Sequence, residues 1–384
     1  MKRVLFISDV PSHPIQGGNL QSMQAYVKIL KELNFEVYFF FGYDFNCPAF
    51  FVEGTKKYWG NNFLYYKQPL FIALIQFFIR KTDRFIQKAT KKYEYKIKTH
   101  YLFGMNRVLK KTREKYQFDI IFVNYIWNTE ACKIFPDTKK ILFTHDVFSS
   151  NFYENRNRKQ RIFSTSEIEE AQALNRCDVI LSVQENESKY FKTLTDKKVY
   201  TSYSPIRGHD TPFSGNKNIL YLGSDNPFNI ESIHDFVKFV FPLLQKKIPE
   251  SKIFIAGSIC DSFDKSLQGT NVILLGKIQD VGSFYALGDI VINPTKNGSG
   301  LKIKSIEALA YNKVLISHPH SIEGLFDINN LPIILASTPK EYTDAIAKLF
   351  DNQPKIKKIK ENTALYMNNY NQFVKEQIKK AFTE

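Results

Sequence analysis

Short apolar runs alternate with stretches of helical periodicity along the whole chain. In the first half, Val4 to Ile7 is apolar, Asn19 to Leu33 repeats at helical spacing, and Phe35 to Phe41 is a second run rich in β-formers. That sequence of elements is a βαβ unit, and runs apolar on both faces predict strands buried in a parallel sheet. The pattern continues with strands at Ile120 to Val123, Lys140 to Thr144, Val179 to Val183 and Val199 to Tyr203, and helices around Asn128 to Phe135 and Ser166 to Arg176. Each run ends in polar residues. In open α/β sheets ligands sit off the carboxyl ends of strands, so Asp9, His145, Asp146 and Gln184 are expected to face one crevice.

From Ser204 to Lys217 there are two prolines, two glycines and no periodicity, which predicts an interdomain linker. A second α/β series follows. Its strands are expected at Ile219 to Leu222, Ile253 to Ala256, Val272 to Leu275, Ile290 to Asn293, Val314 to Ser317 and Ile333 to Ala336, with helices near Ile230 to Leu244 and Leu301 to Tyr311. The lysine-rich tail from Lys355 reads as helices with a basic face. No fixed-period repeat links the halves. The expected organisation is a domain over 1–205 with an insertion at 69–115, a second over 206–365, and a terminal helix over 366–384.

Composition agrees with two domains. A chain of 384 residues exceeds one typical core, and 43% hydrophobic residues with 34 Phe exclude disorder as the main state. The four cysteines, Cys47, Cys132, Cys177 and Cys260, show no CxxC or Cys/His spacing, which argues against a zinc site or disulfide framework and suits a reducing compartment. The basic start followed by a four-residue apolar run reads as a first strand and not a signal peptide.

The net charge of +15 is unevenly placed. Between Arg80 and Lys115 stand thirteen Lys or Arg against Asp83, Glu94 and Glu114. Just before this tract, Pro69 to Ile79 is apolar and aromatic, yet shorter than the ~20 residues that span a bilayer. An apolar segment leading into a basic helix fits an interfacial anchor on an anionic membrane. A solvated helix face, or a tract following nucleic-acid phosphates, fits the charge alone. No nucleic-acid-binding motif accompanies it, so no nucleic-acid partner is expected.

Two glycine-rich turns carry candidate chemistry. Asn297 to Ala310 reads Asn-Gly-Ser-Gly-Leu-Lys-Ile-Lys-Ser-Ile-Glu-Ala-Leu-Ala. Gly298 and Gly300 allow close approach of an anion, Ser299 and Leu301 lend backbone N–H groups, and Lys302 and Lys304 add positive charge at a helix start. Cations there oppose the helix dipole unless something negative is bound. Glu307, one turn on, is placed to reach a ribose hydroxyl. The alternative is an ordinary strand-to-helix turn with solvated lysines. After the first strand, Gly17 and Gly18 form a second such turn, which is not the GxGxxG of nicotinamide sites, with Asn19 or Gly18 as helix cap. His145, off a later strand and beside Asp146, is suited to bond a sugar hydroxyl or leaving group, or to shuttle a proton, although a structural histidine also fits. GxSxG, HExxH and a Gly-Lys-Ser/Thr P-loop are absent from the sequence.

These features together resemble the GT-B glycosyltransferases of family 4, the group 1 glycosyl transferases. The resemblance rests on the Gly-Gly loop, His145-Asp146-Val147, Asp178-Val179-Ile180 ahead of Glu185, Tyr221-Leu222-Gly223, the Gly-x-Gly-x-Lys-x-Lys-x-x-Glu-Ala-Leu-Ala run, and Ser321-Ile322-Glu323-Gly324-Leu325. It covers nearly the whole chain. It implies an α/β GT-B fold, two doubly wound Rossmann-like domains facing each other across a cleft. It further implies a retaining, metal-independent hexosyl transfer from a nucleotide sugar, UDP- or GDP-linked, to a polysaccharide or lipid-linked acceptor. The nucleotide sugar is a substrate, so no cofactor is expected, and the enzyme would work peripherally on the cytoplasmic face of the membrane. No DxD supplies carboxylates for Mg²⁺, whereas lysines and a helix start can neutralise a leaving phosphate. By position, Glu307 would bind the ribose, Gly17 and Gly18 the diphosphate or sugar, and His145 with Glu323 and Gly324 the sugar.

Two positions depart from the family pattern. Ser299 stands where a glutamate eight residues before Glu307 is usual, and Gly223 is followed by Ser224-Asp225-Asn226 without the usual Arg and Lys. Lys302, with Lys304 second, is therefore expected to supply the phosphate charge. Other GT-B chemistry, such as sugar-nucleotide epimerisation, and a non-catalytic basic adaptor on membrane or nucleic acid are the competing functions.

Overall fold

A computed structural model describes residues 1–15, 18–90, 94–149, 163–298 and 301–384, without the side chains of 18 and 19. The chain separates into two compact units, Met1–Pro205 with Phe373–Glu384, and Ile206–Gln372.

The first unit is built on a parallel sheet of β1 (Lys2–Ser8), β2 (Phe35–Tyr43), β3 (Phe63–Lys67), β4 (Ile120–Asn124), β5 (Lys139–Phe143), β6 (Val179–Ser182) and β7 (Lys198–Thr201), in the order β3-β2-β1-β4-β5-β6-β7. Val4 is opposite Val37 on one side and Ile120 on the other. In the inner strands the side chains are buried on both faces, which is why those strands read as unbroken apolar runs. Phe6 packs between Phe39 and Phe122 at ring-centroid distances of 5.6 and 4.5 Å, so much of the phenylalanine content is core.

The second unit repeats the architecture with β8 (Asn218–Leu222), β9 (Lys252–Ala256), β10 (Val272–Gly276), β11 (Ile290–Asn293), β12 (Val314–Ser317) and β13 (Ile334–Leu335). Its parallel order is β10-β9-β8-β11-β12-β13. Strand order reverses between β1 and β4 in one sheet and between β8 and β11 in the other. Those are the switch points beyond whose carboxyl ends doubly wound sheets bind ligands.

Several elements differ from expectation. β3, with its phenylalanine, leucine and tyrosines, extends the first sheet at an edge. Ile126–Ile134 is a 3₁₀ helix, not an α-helix. Ile206 onward packs within the second unit: Asp289 accepts from Ser214 N, Ser214 Oγ and Gly215 N, and Lys360 Nζ lies 3.3 Å from it. The basic tail is a single helix, Gln353–Thr383. The apolar run after Pro69 and the start of the basic tract are one continuous helix, Leu70–Thr90, because no Gly or Pro interrupts it.

Candidate functional site

Off the carboxyl edge of the second sheet, the loops after β8, β11 and β12 come together around the Ile303–Ala310 helix. Gly298, on the β11 loop, has φ 105°, and a Cβ there would come within 3.0 Å of the Phe228 ring. Only glycine fits that turn without strain. Its carbonyl accepts from Lys302 Nζ at 2.7 Å and lies 2.9 Å from His320 Nε2. His320 Nδ1 in turn lies 3.3 Å from Glu323. The β11 and β12 loops are thereby joined through one carbonyl. Beyond β8, Gly257 (φ 102°) passes so close to Gly223 that a Cβ would stand 2.1 Å from the Gly223 oxygen.

Lys304 points under this loop. Its ammonium donates to Asn229 Oδ1 and Thr295 Oγ1, both at 2.8 Å, lies 3.3 Å from the Tyr221 hydroxyl, and sits 4.9 Å from the centre of the Tyr221 ring. These partners are neutral oxygens and a ring. Burial, with Lys302 close by, lowers its pKa to about 7. The sequence ranked Lys302 ahead of Lys304; the structure puts Lys302 at the N-cap of the helix and Lys304 deeper, inside the loop cluster.

Glu307 lies one turn further along the same helix. Its Oε1 accepts from the Tyr285 hydroxyl at 3.0 Å, and burial raises its carboxyl above the usual range. Tyr285 stacks on Tyr311 at 4.4 Å and Tyr311 on His209 at 4.3 Å. The carboxylate thus stands at the end of a stack of three rings.

In the first unit, His145 follows β5 and bonds Asn124 at the end of β4, Nε2 to Oδ1, at 2.5 Å. Asn124 Nδ2 donates to Ser8 Oγ, which orients the amide and puts the imidazole proton on Nε2. Nδ1 then carries the lone pair. Burial drives the pKa of His145 down to about 3, so the ring is neutral and is a hydrogen-bonding group rather than the proton shuttle considered above. Tyr125 stacks on it at 4.0 Å from a left-handed backbone conformation, φ 65° and ψ 149°, a strain that surrounding structure must hold. Asp9, after β1, accepts from Trp127 Nε1 and Asn128 Nδ2 at 2.8 and 2.9 Å. Asp146 binds its neighbour's N–H (Val147), and Gln184 bonds Glu187, whose carboxyl burial raises to about 7.

The candidates therefore fall into two groups. Gly223, Gly298, Leu301, Lys302, Lys304, Glu307, Glu323 and Gly324 gather at one end of the second sheet, with Glu323 exposed. His145 lies in the first unit, as does Gly18, which opens the Gly18–Glu32 helix. Gly17, Ser299 and Gly300 lie outside the described residues. Residues not singled out from sequence are Tyr221, Asn229, Thr295, Tyr285 and His320. Only the tyrosine of Tyr221-Leu222-Gly223 stood inside a recognised motif. Among the described residues no three His, Cys, Asp or Glu side chains are grouped to hold a metal, and no helix is long and apolar enough to cross a membrane.

Residues 216–352 match the family model described as Glycosyl transferases group 1. An uncharacterized 44.6 kDa protein in the cps region of Klebsiella pneumoniae is 24% identical over 132 residues; the match covers 32% of this chain and spans about a third, 34%, of that relative's length. Among solved structures, a complex of S. aureus TarM with Fondaparinux, alpha-GlcNAc-glycerol and UDP is similar over the whole of both chains, at 13% identity and a TM-score of 0.63. Anabaena HepE in complex with UDP and glucose covers both chains fully at 13% identity and a TM-score of 0.64. The pneumococcal O-GlcNAc transferase GtfA, in complex with UDP and GlcNAc, covers 100% of this chain and 99% of its own at 9% identity and a TM-score of 0.66. At these identities the likeness establishes the fold, GT-B, and the match over 216–352 bears out the resemblance to group 1 glycosyltransferases.

Proposed function

We propose that this chain is a GT-B glycosyltransferase that moves a sugar from a nucleotide-sugar donor to a glycan or lipid-linked acceptor. The observation that carries the reading is Lys304: a half-buried ammonium at a sheet switch point, held by neutral oxygens and lowered to about 7. An anion beside it would raise its pKa and be bound in return. A nucleoside diphosphate supplies that anion, and Glu307, on the next turn, supplies an acceptor for ribose hydroxyls. The match of 216–352 to group 1 glycosyltransferases and the UDP complexes of similar structures support the same donor class.

In this reading the bond from the sugar's anomeric carbon to the diphosphate breaks, and Lys302, Lys304 and the backbone at Gly298 and Leu301 stabilise the departing phosphate charge. His145, neutral, accepts a sugar hydroxyl at Nδ1. The resemblance supports retention of anomeric configuration, and the lysines that can take a cation's place at the diphosphate support independence from metal. The nucleotide is UDP or GDP. The Leu70–Thr90 helix brings the enzyme to the anionic inner face of the membrane: Phe71, Phe78 and Phe85 are each more than half exposed, and Lys81, Arg84 and Lys88 stand on the same helix.

A panel of UDP-, GDP-, ADP- and CMP-sugars, read for binding and for slow hydrolysis, tests the donor. One class is expected to bind and to be hydrolysed to the nucleoside diphosphate. An epimerised nucleotide sugar as sole product would overturn transfer.

A further inference from the structure

The Leu70–Thr90 helix is packed inside out. Only Ala73 and the polar Gln76 of this helix are fully buried, Ile72 and Arg80 are partly so, and Leu70, Phe71, Leu74, Ile75, Phe77 and Phe78 are all exposed. Its attachment to the first unit is a hydrogen-bond network. Gln76 Nε2 donates to the carbonyls of Thr99 and Tyr101, both at 2.8 Å, Gln76 Oε1 accepts from Gln68 Nε2 at 2.6 Å, and Arg80 donates to the carbonyls of Thr99 and His100 at 2.8 and 2.9 Å. A buried polar seam under an exposed apolar face leaves the apolar face for something outside the chain.

Between this helix and the carboxyl ends of β2 and β3 lies a cavity of about 490 Å³. Arg80, Lys81 and Arg84 line it against one acid, Asp44, with Gln68 and Asn46 on the strand side. Lys81 and Arg84 have no hydrogen bond or ion pair among the described residues, and the fixed bonds of Arg80 to two carbonyls hold its guanidinium in place. Leu74 and Phe77 belong both to the cavity wall and to the exposed face. The cationic cavity and the apolar surface are therefore continuous.

We infer that this cavity binds the phosphate of a lipid-linked acceptor, with the lipid chain lying on the exposed face of the Leu70–Thr90 helix. Three cations against one carboxylate favour an anion, and arginines suit phosphate oxygens. A sugar polymer without a lipid would leave the rest of the apolar face, Leu70, Phe71, Ile75 and Phe78, without a partner. A bulk anionic headgroup would need no cavity, and this one opens on the sheet edge where Asp9 and His145 also stand. The inference rests on the glycosyl-transfer reading, whose acceptor class it specifies.

The test uses the full chain, titrated by calorimetry with farnesyl phosphate, with farnesol and, separately, with the nucleotide. Farnesyl phosphate is expected to bind at least about tenfold more tightly than farnesol. The exposed double substitution Lys81→Gln with Arg84→Gln is expected to remove that advantage and leave nucleotide affinity unchanged, which also reports intact folding. Equal affinity for the phosphate and the alcohol, or a preference the double substitution does not touch, would overturn the inference. Flotation on phosphatidylglycerol vesicles without a preference for farnesyl phosphate would assign the charge to the bulk membrane and overturn it. So would self-association through this face, abolished by Phe71→Ser with Phe78→Ser, in a chain that binds no farnesyl phosphate. Loss of nucleotide binding with the farnesyl phosphate preference intact would instead remove the transferase reading and support the pocket.

Discussion

Lys304 donates a 2.8 Å hydrogen bond to Asn229, tying the helix after β11 to the segment after β8 across the sheet's switch point. This bond fixes where the ammonium sits, and burial fixes when it is charged. With a pKa lowered to about 7, the site holds its full positive charge below pH 7 and loses it as pH rises. Nucleotide affinity is therefore expected to fall above about pH 7, to the extent that the bound anion does not restore the proton. Titrations of the wild type and of Lys304→Met across that range check this: the slope should vanish in the variant, and Asn229→Ala should weaken binding at every pH.

The same burial has a stability consequence of definite sign. The unfolded lysine keeps its ordinary pKa near 10.5, so between about 7 and 10.5 the unfolded chain binds more protons and stability rises with pH from this group. The denaturant midpoint of wild type, measured against that of Lys304→Met, should rise with pH across that window.

Lys302 reaches the Gly298 carbonyl from the helix N-cap. Lys302→Ala is expected to raise the donor KM or lower kcat by at least about tenfold, read by steady-state kinetics. Unchanged kinetics would remove Lys302 from the diphosphate site.

Glu307 and Tyr285 offer a cleaner separation of roles. Glu307→Ala should cost about tenfold in nucleotide affinity, and Tyr285→Phe less, since the carboxylate remains. Removing the ribose hydroxyl from the ligand should weaken wild type but not Glu307→Ala. This double cycle, measured by calorimetry, isolates the ribose contact.

Asp289 anchors the start of the second unit. It is 1% exposed and accepts from Ser214 and Gly215 while facing Lys360. Burial alone would raise its carboxyl, but the bonds from Ser214 and Gly215 and the charge of Lys360 hold it below the usual range. Asp289→Asn leaves the Lys360 charge buried and should cost about 3 kcal/mol in chemical denaturation.

Much of the fold was legible because parallel strands buried on both faces are unbroken apolar runs, and Ile290–Asn293 and Val314–Ser317 begin and end where the pattern put them. The edge strand β3 was not, since only Tyr66 of its five residues is buried and its sequence carries no alternation that a helix or loop would lack. In the candidate site, glycines and lysines were visible from their spacing. Asn229 and Thr295 were not, because their relation to Lys304 exists only once β8 and β11 lie side by side. Likewise the neutrality of His145 follows from burial behind Asn124 and Tyr125, which no local spacing encodes. The apolar and basic stretches after Pro69 were visible as patterns, yet only the continuity of the first with the start of the second in one helix sets exposed phenylalanines beside Lys81 and Arg84.

The most direct test of the donor assignment is hydrogen–deuterium exchange of the full chain with and without UDP and GDP. One nucleotide is expected to protect the amides of 294–311 together with those of 221–229. No protection in either segment with any nucleotide, or protection confined to the first unit, would contradict the account.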